Sequence, residues 1–548
     1  NGEKNLTGKV EIAEGLTAQS ASRRIENMTY KDADGQGQYL YTPAVDKKTG
    51  PITTSEDIDV TRKAEADGSV HVVWTEPNAA SGRFVSTLYS ERNTSKQNPM
   101  VVNLGGHDLH LKANSAGKIA AAVYVGNNQY INVNKSNAEN VVIEGTNTDT
   151  RGANGIYLDG NAHLNIKGNV EITKVVTKGD VATGIAFQGK DSEALIEGNL
   201  KITEVYGERG KGAGINASGI AVTGERSKIT VTGPVSISGV KGSALKTVGA
   251  DTVISVGGGT ITAAEDADKS RNYYAARVDK GMININMDGD KAGHTTTKII
   301  GDLFATGQYG KKVIEYSGGQ LVDWKNAGKL NVALTDAQSS WKGAAVYDQY
   351  TSDYGSGGNT VYDVGEFNLW LQNGAAWTNE RQSHGTTVNR PSAEFIGSQI
   401  AHFHGDDGEA KKSVIYQKDA KPIYVNTYSG NTMVIYEHDT AVPADPNEGL
   451  SMKGGDFKVE KAAANSGITL RTDNAGLNTA STKAADKNLV SGTLNKLANK
   501  LYYTAYKDGE KNLTGKVEIA EGLTAQSASR RIENITYKEA DGQGQYLY

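Results

Sequence analysis

The chain contains no cysteine among its 548 residues. That excludes disulfide staples and thiol catalysis. In a secreted bacterial protein the absence has a mechanical reading, since a disulfide loop would impede threading through an outer-membrane pore, but it is equally common in cytosolic proteins and alone decides little. Proline is scarce at 9 residues, so the chain is no Pro-rich linker and, despite 65 glycines, no collagen. Phenylalanine is rare as well, with 7 against 26 tyrosines, which suits a thin core and a large wetted surface where amphipathic tyrosine lies half exposed. No apolar run approaches the roughly 20 residues of a membrane-spanning helix, and no signal peptide opens the sequence. Charge of one sign is also missing: 58 Lys and Arg interspersed with 63 Asp and Glu give a formal net charge of −5. No basic stripe marks a nucleic-acid partner, and nothing implies a cofactor.

What is present is repetition on two scales. Residues 1–41 return at 508–548 with three differences: Asn1 becomes Asp508, Met28 becomes Ile535 and Asp32 becomes Glu539. The offset, 508 − 1, is 507 residues. The chain thus reads as one period plus the opening of the next, within a protein expected to continue in both directions. Two matching end modules are the alternative. On the finer scale, a small, apolar, variable, Gly pattern recurs in AAVYVG, GIYLDG, GIAFQG, GIAVTG and ALKTVG. It closes on Gly126, Gly160, Gly189, Gly224 and Gly249, at steps of 34, 29, 35 and 25 residues. Alternating strands follow, among them LNIKGNVEI, ALIEGNLKI and KITVTGPVSI. A step of this size fits one coil of a β-solenoid, which buries its inner face only by stacking on the next coil. Gly and β-branched residues argue against helix.

Length variation is expected in loops such as 174–183 and 204–217. KLNVALTDAQSSWKG (329–343) and EFNLWLQNGAAWT (366–378) read as two more coils with Trp341 and Trp377 in related places. TAVPADPNEG (440–449) reads as a break, and Val490, Leu494, Leu497 and Leu501 fall at the spacing of a short amphipathic helix. The expected organisation is a connector over 1–60, a cap and first coils over 61–112, a parallel β-helix over 113–440, a linker with the helix over 441–507, and a second connector from 508 to 548.

GIYLDGNAHLNIKGNVEI, LTDAQSSWKG, NLWLQNGAAWT and YSGNTMVIYEHD, with the connector LANKLYYTAYKDGEKNLTGKVEIAEGLTAQSAS, resemble passenger domains of type V autotransporters of the adhesin kind. The resemblance covers roughly residues 100–548. It implies an all-β, right-handed parallel β-helix exported to the bacterial outer-membrane surface, or released from it, and carried by a C-terminal barrel that this sequence lacks. Membrane contact is expected only through that barrel. The implied partners are a host cell-surface or matrix protein, a glycan, another bacterial cell or a second copy of the chain.

Candidate sites are sparse. Neither a GDSGS-type motif nor G-x-S-x-G is present. A pectinase-like β-helix enzyme is the alternative, since glycoside cleavage needs paired carboxylates, and Asp159, Asp288 and Asp290 are the candidates; turn acids explain them equally well. A purely structural spacer is the third reading. His402, His404, Asp406, Asp407 and Glu409 form the densest chelating cluster, with both histidines on one strand face; a solvated polar turn is the favoured reading, and no metal site is assigned. Lys178-Gly179-Asp180 matches a short integrin-type tripeptide that arises readily by chance. Tyr206, Tyr273, Tyr274, Tyr350 and Tyr354 are expected in loops, free to stack on sugars or to serve as plain surface aromatics.

Overall fold

A computed structural model describes most of residues 84–503; the longer undescribed intervals inside that span are 208–216, 266–272, 349–360 and 384–394, and outside it only isolated strands are described. The chain divides into two units, Asn1–Gly257 with Ile261–Ala267, and Gly258–Thr260 with Asp268–Tyr548. Both are all-β and built of parallel ladders, as a stacked-coil solenoid requires.

In unit 1 each coil contributes a strand to three ladders. Ladder A stacks Ile119–Val125, Ala153–Leu158, Ala182–Phe187, Ala217–Val222 and Gly242–Thr247. Ladder B stacks Tyr130–Asn134, His163–Lys167, Glu193–Glu197, Lys228–Val231 and Val253–Val256. Ladder C stacks Leu109–Ser115, Asn140–Thr148, Asn169–Thr177, Leu200–Gly207 and Val235–Val240. Period-2 alternation fixes the register, because a slip of one residue would turn every apolar side chain outward. It aligns Ile131, Leu164, Ala194, Ile229 and Ile254 in one inner column, all 3 % exposed or less. A second column, Ile143, Ile172, Ile202 and Ile237, is fully buried in ladder C.

The corner from ladder A to ladder B is built the same way in these five coils. Asn128, Asn161, Asp191, Arg226 and Asp251 each adopt the left-handed conformation, with φ between 47° and 60°. The amide of each of the first four donates to the next coil, to Gly160, Lys190, Glu225 and Ala250 respectively. The turn backbone is therefore paired along the stack like the strands beside it. The glycines closing the sequence pattern sit at this corner because the coils nearly touch there: a methyl group on Gly189 would fall on the backbone of Gly160.

Inside ladder C a second left-handed position recurs at Gly145, Lys174, Glu204 and Gly239. It kinks the strand without ending it. This shortens the expected loops: Asn169–Thr177 runs through the start of 174–183, and Leu200–Gly207 through the start of 204–217.

In unit 2, ladder A stacks Tyr274–Val278, Asp302–Thr306 and Ala345–Asp348. Ladder B runs through Met282–Ile285, Lys329–Leu334, Glu366–Leu371, Ser398–His404, Ile423–Ser429, Phe457–Ala462 and Leu501–Tyr503. Ladder C runs through Thr297–Ile300, Ser340–Lys342, Ala376–Asn379, Ser413–Gln417, Asn431–Tyr436, Gly467–Thr472 and Lys516–Ile519. The pairing thus passes residue 440, so 441–507 is no mere linker. The prolines of 440–449 lie outside the ladders, in a loop with a short 3-10 turn at Pro446–Glu448, while FKVEKA and GITLRT keep the alternation that a ladder selects.

The one helix among the described residues, α1 (Ala484–Ala498), buries Val490, Leu494 and Leu497. Leu501 is buried too, but it opens a ladder B strand instead of a further helical turn. The helix seats against the 446–449 loop at a close Gly449–Gly492 approach, and Leu450 N donates to Thr493 Oγ1 at 2.8 Å.

Trp341 and Trp377 occupy one inner column in direct register. Their rings stack at 4.6 Å and 3°, and their indole N–H groups donate to the carbonyls of Gly301 and Gly343 at 3.0 and 2.9 Å. Each fills the core and satisfies its one polar atom in the same way. Trp341→Ala and Trp377→Ala are each expected to lower the stability of unit 2 by about 3–5 kcal/mol. In chemical denaturation the double variant should fall short of the sum of the singles, because the rings share one contact.

Candidate binding surface

The outer face of ladder B in unit 2 gathers more side chains of recognition type than any position named from the sequence. Register places Asn284, Asn331, Asn368, His402 and Thr427 in one row across five coils. Trp370, His404 and Ser429 form the neighbouring row.

The asparagines form a zipper: Asn331 Nδ2 donates to Asn284 Oδ1 at 2.7 Å, and Asn368 Nδ2 donates to Asn331 Oδ1 at 2.8 Å. Asn368 Nδ2 also reaches Glu366 Oε1 at 3.0 Å. Its own Oδ1 is buried and accepts no hydrogen bond among the described residues, an acceptor left open at a cost.

Glu366 is pulled two ways. Burial alone would raise its pKa, but hydrogen bonds from Asn368 and Lys329, with the charges of Lys329 and His402, outweigh that and hold it below the ordinary range. It therefore stays a carboxylate, 3.1 Å from Lys329 Nζ and 3.8 Å from His402 Nε2. His402 Nδ1 pairs with Thr427 Oγ1 at 2.5 Å, and His404 Nδ1 with Ser429 Oγ at 3.1 Å. The imidazole of His404 stacks on the half-exposed indole of Trp370 at 4.6 Å and 17°.

The histidines share a strand face, as the alternation predicts, but the acids after them do not join them. Asp406 is buried, and its carboxylate accepts the backbone N–H groups of Asn373 and Ser413. It holds a turn together and has little left to offer a metal. Asp407 is exposed and Glu409 lies outside the described residues. Among the described residues no three His, Asp or Glu side chains are grouped for a metal ion.

The other sequence candidates scatter. Asp159, in unit 1, accepts from Tyr124 Oη at 3.0 Å, while Asp288 and Asp290 are exposed in unit 2 beside the short hairpin Met287–Asp288 with Lys291–Ala292. Tyr273 and Tyr274 are no loop aromatics: they are buried at the head of a ladder A strand, Tyr274 against Phe304 at 5.1 Å, in a stretch whose consecutive residues Tyr273 to Ala276 are all buried. Tyr206 is half-buried on a ladder C strand with Lys241 Nζ 4.8 Å over its ring. Tyr350, Tyr354 and Asp180 lie outside the described residues.

Trp370, Glu366 and Asn368 escaped the sequence reading, although the signal was there. In FNLWL, Phe367, Leu369 and Leu371 alternate inward, which leaves Asn368 and Trp370 on the opposite face, Asn368 buried there and Trp370 partly exposed. Unit 1 carries a parallel on ladder B, where Tyr130 and His163 stack at 4.3 Å and 3°.

Among the described residues no helix is long and apolar enough to cross a membrane. Comparison with family models, curated proteins and solved structures finds no match for this chain.

Burial, with the charge of His402, holds the pKa of His404 below 6.5, Asp407 opposing. The unfolded chain then takes up this proton first, so the contribution is whole above pH 6.5 and is lost as pH falls through the folded value. An NMR titration should give His404 a midpoint below 6.5. Wild-type stability should drop more than that of His404→Gln on acidification from neutral pH.

Proposed function

We propose that this chain is a repeat unit of a bacterial cell-surface adhesin of the autotransporter-passenger kind, making contact through the outer face of ladder B in unit 2. The observation that carries the reading is the partly exposed Trp370–His404 stack on the same ladder face as the partly exposed carboxylate of Glu366. An aromatic edge supplies apolar contact, and the fixed carboxylate of Glu366 supplies a directional hydrogen-bond acceptor. That combination suits a glycan or the polar rim of a protein partner. Ladder pairing on both sides holds these groups in place, so little ordering cost falls on binding.

The 507-residue return supports the modular build, and the placement outside the cell rests on the resemblance alone. Repetition would add avidity to a contact that is weak alone. The spacer reading keeps the scaffold and assigns adhesion elsewhere.

The purified chain is expected to bind in a panel of host cells, matrix proteins and glycans. Trp370→Ala should weaken that binding about tenfold or more, as loss of an aromatic anchor does, while circular dichroism keeps the strand signal. Undiminished binding by Trp370→Ala would remove this face from the reading. A chain that binds nothing on the panel and does not self-associate would leave the spacer.

A further inference from the structure

Among the described residues, all but two of the paired aromatic rings join buried side chains. The two that reach the surface are alike in kind and in place. Each lays an imidazole on an aromatic ring one coil away, and each sits on the outer face of ladder B: Trp370–His404 in unit 2 and Tyr130–His163 in unit 1. Packing explains the buried stacks. It does not explain why one pairing recurs on the water-facing side of the same ladder.

In unit 1, register places Tyr130, His163, Glu193 and Lys228 in one row across four coils. Asn161 Nδ2 donates to Asn128 Oδ1 at 2.8 Å, which leaves Asn161 Oδ1 to accept from His163 Nε2 at 3.2 Å. The ring proton is therefore on Nε2, and Nδ1 carries a lone pair. Burial, with the charges of Lys96 and Lys228, holds the pKa of His163 below 6.5, Glu193 opposing, so Nδ1 stays unprotonated at neutral pH. Glu193 Oε2 stands 3.9 Å from that nitrogen, too far for a hydrogen bond, while Glu193 Oε1 takes Lys228 Nζ at 3.0 Å. Two acceptors thus lie side by side on side chains that are 27 % and 46 % exposed. Unit 2 assembles the same arrangement from other rows. Thr427 Oγ1 donates to the carbonyl of Ala401 and accepts from His402 Nδ1, which turns Nε2 into the acceptor 3.8 Å from Glu366 Oε1. Lys329 Nζ holds that carboxylate at 3.1 Å.

We infer that the Tyr130–His163–Glu193–Lys228 row is a second contact site, in unit 1, for an uncharged glycan, two neighbouring hydroxyls of one sugar donating to His163 Nδ1 and Glu193 Oε2. The partly exposed ring of Tyr130 meets the C–H face of the sugar, and Lys228 Nζ donates to a further oxygen. Paired donors without charge single out a sugar, since a peptide backbone offers its N–H groups singly and a lipid headgroup brings a phosphate. The charges of Glu193 and Lys228 offset one another, and the neighbouring row of Asn132, Asn165, Leu195, Thr230 and Ser255 carries none. A sugar carboxylate or sulfate would meet Glu193 with like charge. The inference rests on the reading of ladder B as a contact face, extends it from unit 2 to unit 1, and names its ligand. Two such sites in one chain would multiply weak contacts with a repetitive glycan.

The test measures binding of the full chain to an immobilised panel of uncharged oligosaccharides built on glucose, galactose, mannose and fucose. A Trp370→Ala background disables the unit 2 face. On it, His163→Phe keeps a stacked ring but removes the acceptor, and Glu193→Ala removes its neighbour; each should weaken the remaining binding about tenfold while circular dichroism keeps the strand signal. In NMR, a saturating oligosaccharide should shift the His163 ring signals and lower the His163 titration midpoint further, because the bound hydroxyl favours an unprotonated Nδ1. Unit 1 variants that leave binding unchanged would overturn the inference. So would a Trp370→Ala chain with no glycan binding left, stronger binding to sialylated or sulfated chains than to uncharged ones, or a chain that binds nothing on the uncharged panel. The two readings fail separately: a Trp370→Ala chain with full binding that His163→Phe abolishes removes the unit 2 face and keeps this one. Should His163→Phe lose its strand signal, Glu193→Ala and the His163 shift in the unaltered chain decide the same question.

Discussion

Every coil depends on the coil beside it for its backbone partners. A single turn of this chain has no hydrophobic interior and no completed ladder; both appear when a second turn lies in register upon it. The inner columns of Ile, Val and Leu then share one dry strip, with each buried aliphatic side chain contributing roughly 1.5–3 kcal/mol of transfer free energy. The larger side chains obey the same rule. Trp341 and Trp377 succeed one another in one column because each indole needs a flat neighbour and a carbonyl one coil away.

The outer faces inherit their order from that constraint. Side chains on adjacent coils are held a strand spacing apart, so like stacks on like: asparagine on asparagine in 284, 331 and 368, imidazole on indole in 404 and 370. The same geometry pairs Lys201 with Glu171 at 2.6 Å and Arg226 with Asp191 through two hydrogen bonds. These exposed pairs add little stability. They show instead how any chemistry placed once per coil becomes a stripe.

Much of the scaffold was legible because it is written locally. The Gly-closed pattern at 126, 160, 189, 224 and 249 marks a corner where coils nearly touch, and the period-2 runs mark the ladders. The kink in ladder C was not legible, since Gly145, Lys174, Glu204 and Gly239 share a backbone conformation and no residue type. The candidate surface was harder still. Asn368, His402 and Thr427 are separated in sequence by coils of unequal length, and the register that aligns them comes from pairing alone. Asp406 misled for the opposite reason: it adjoins the histidines in sequence, but its carboxylate is spent on the amides of its own turn.

The left-handed corner after ladder A divides each coil into a side that is fixed and a side that is free. At Asn128, Asn161, Asp191, Arg226 and Asp251 the turn hands its amide forward or stands in the same tight bend, and an inserted residue there would unpair two coils at once. Between ladder C and ladder A the connections differ in length from coil to coil, from a single residue at Lys241 to nine at 208–216. New sequence can therefore be gained on one flank of unit 1 without disturbing the stack. A lineage under pressure to vary what it shows would leave its record on that flank, while the opposite corner stayed nearly silent.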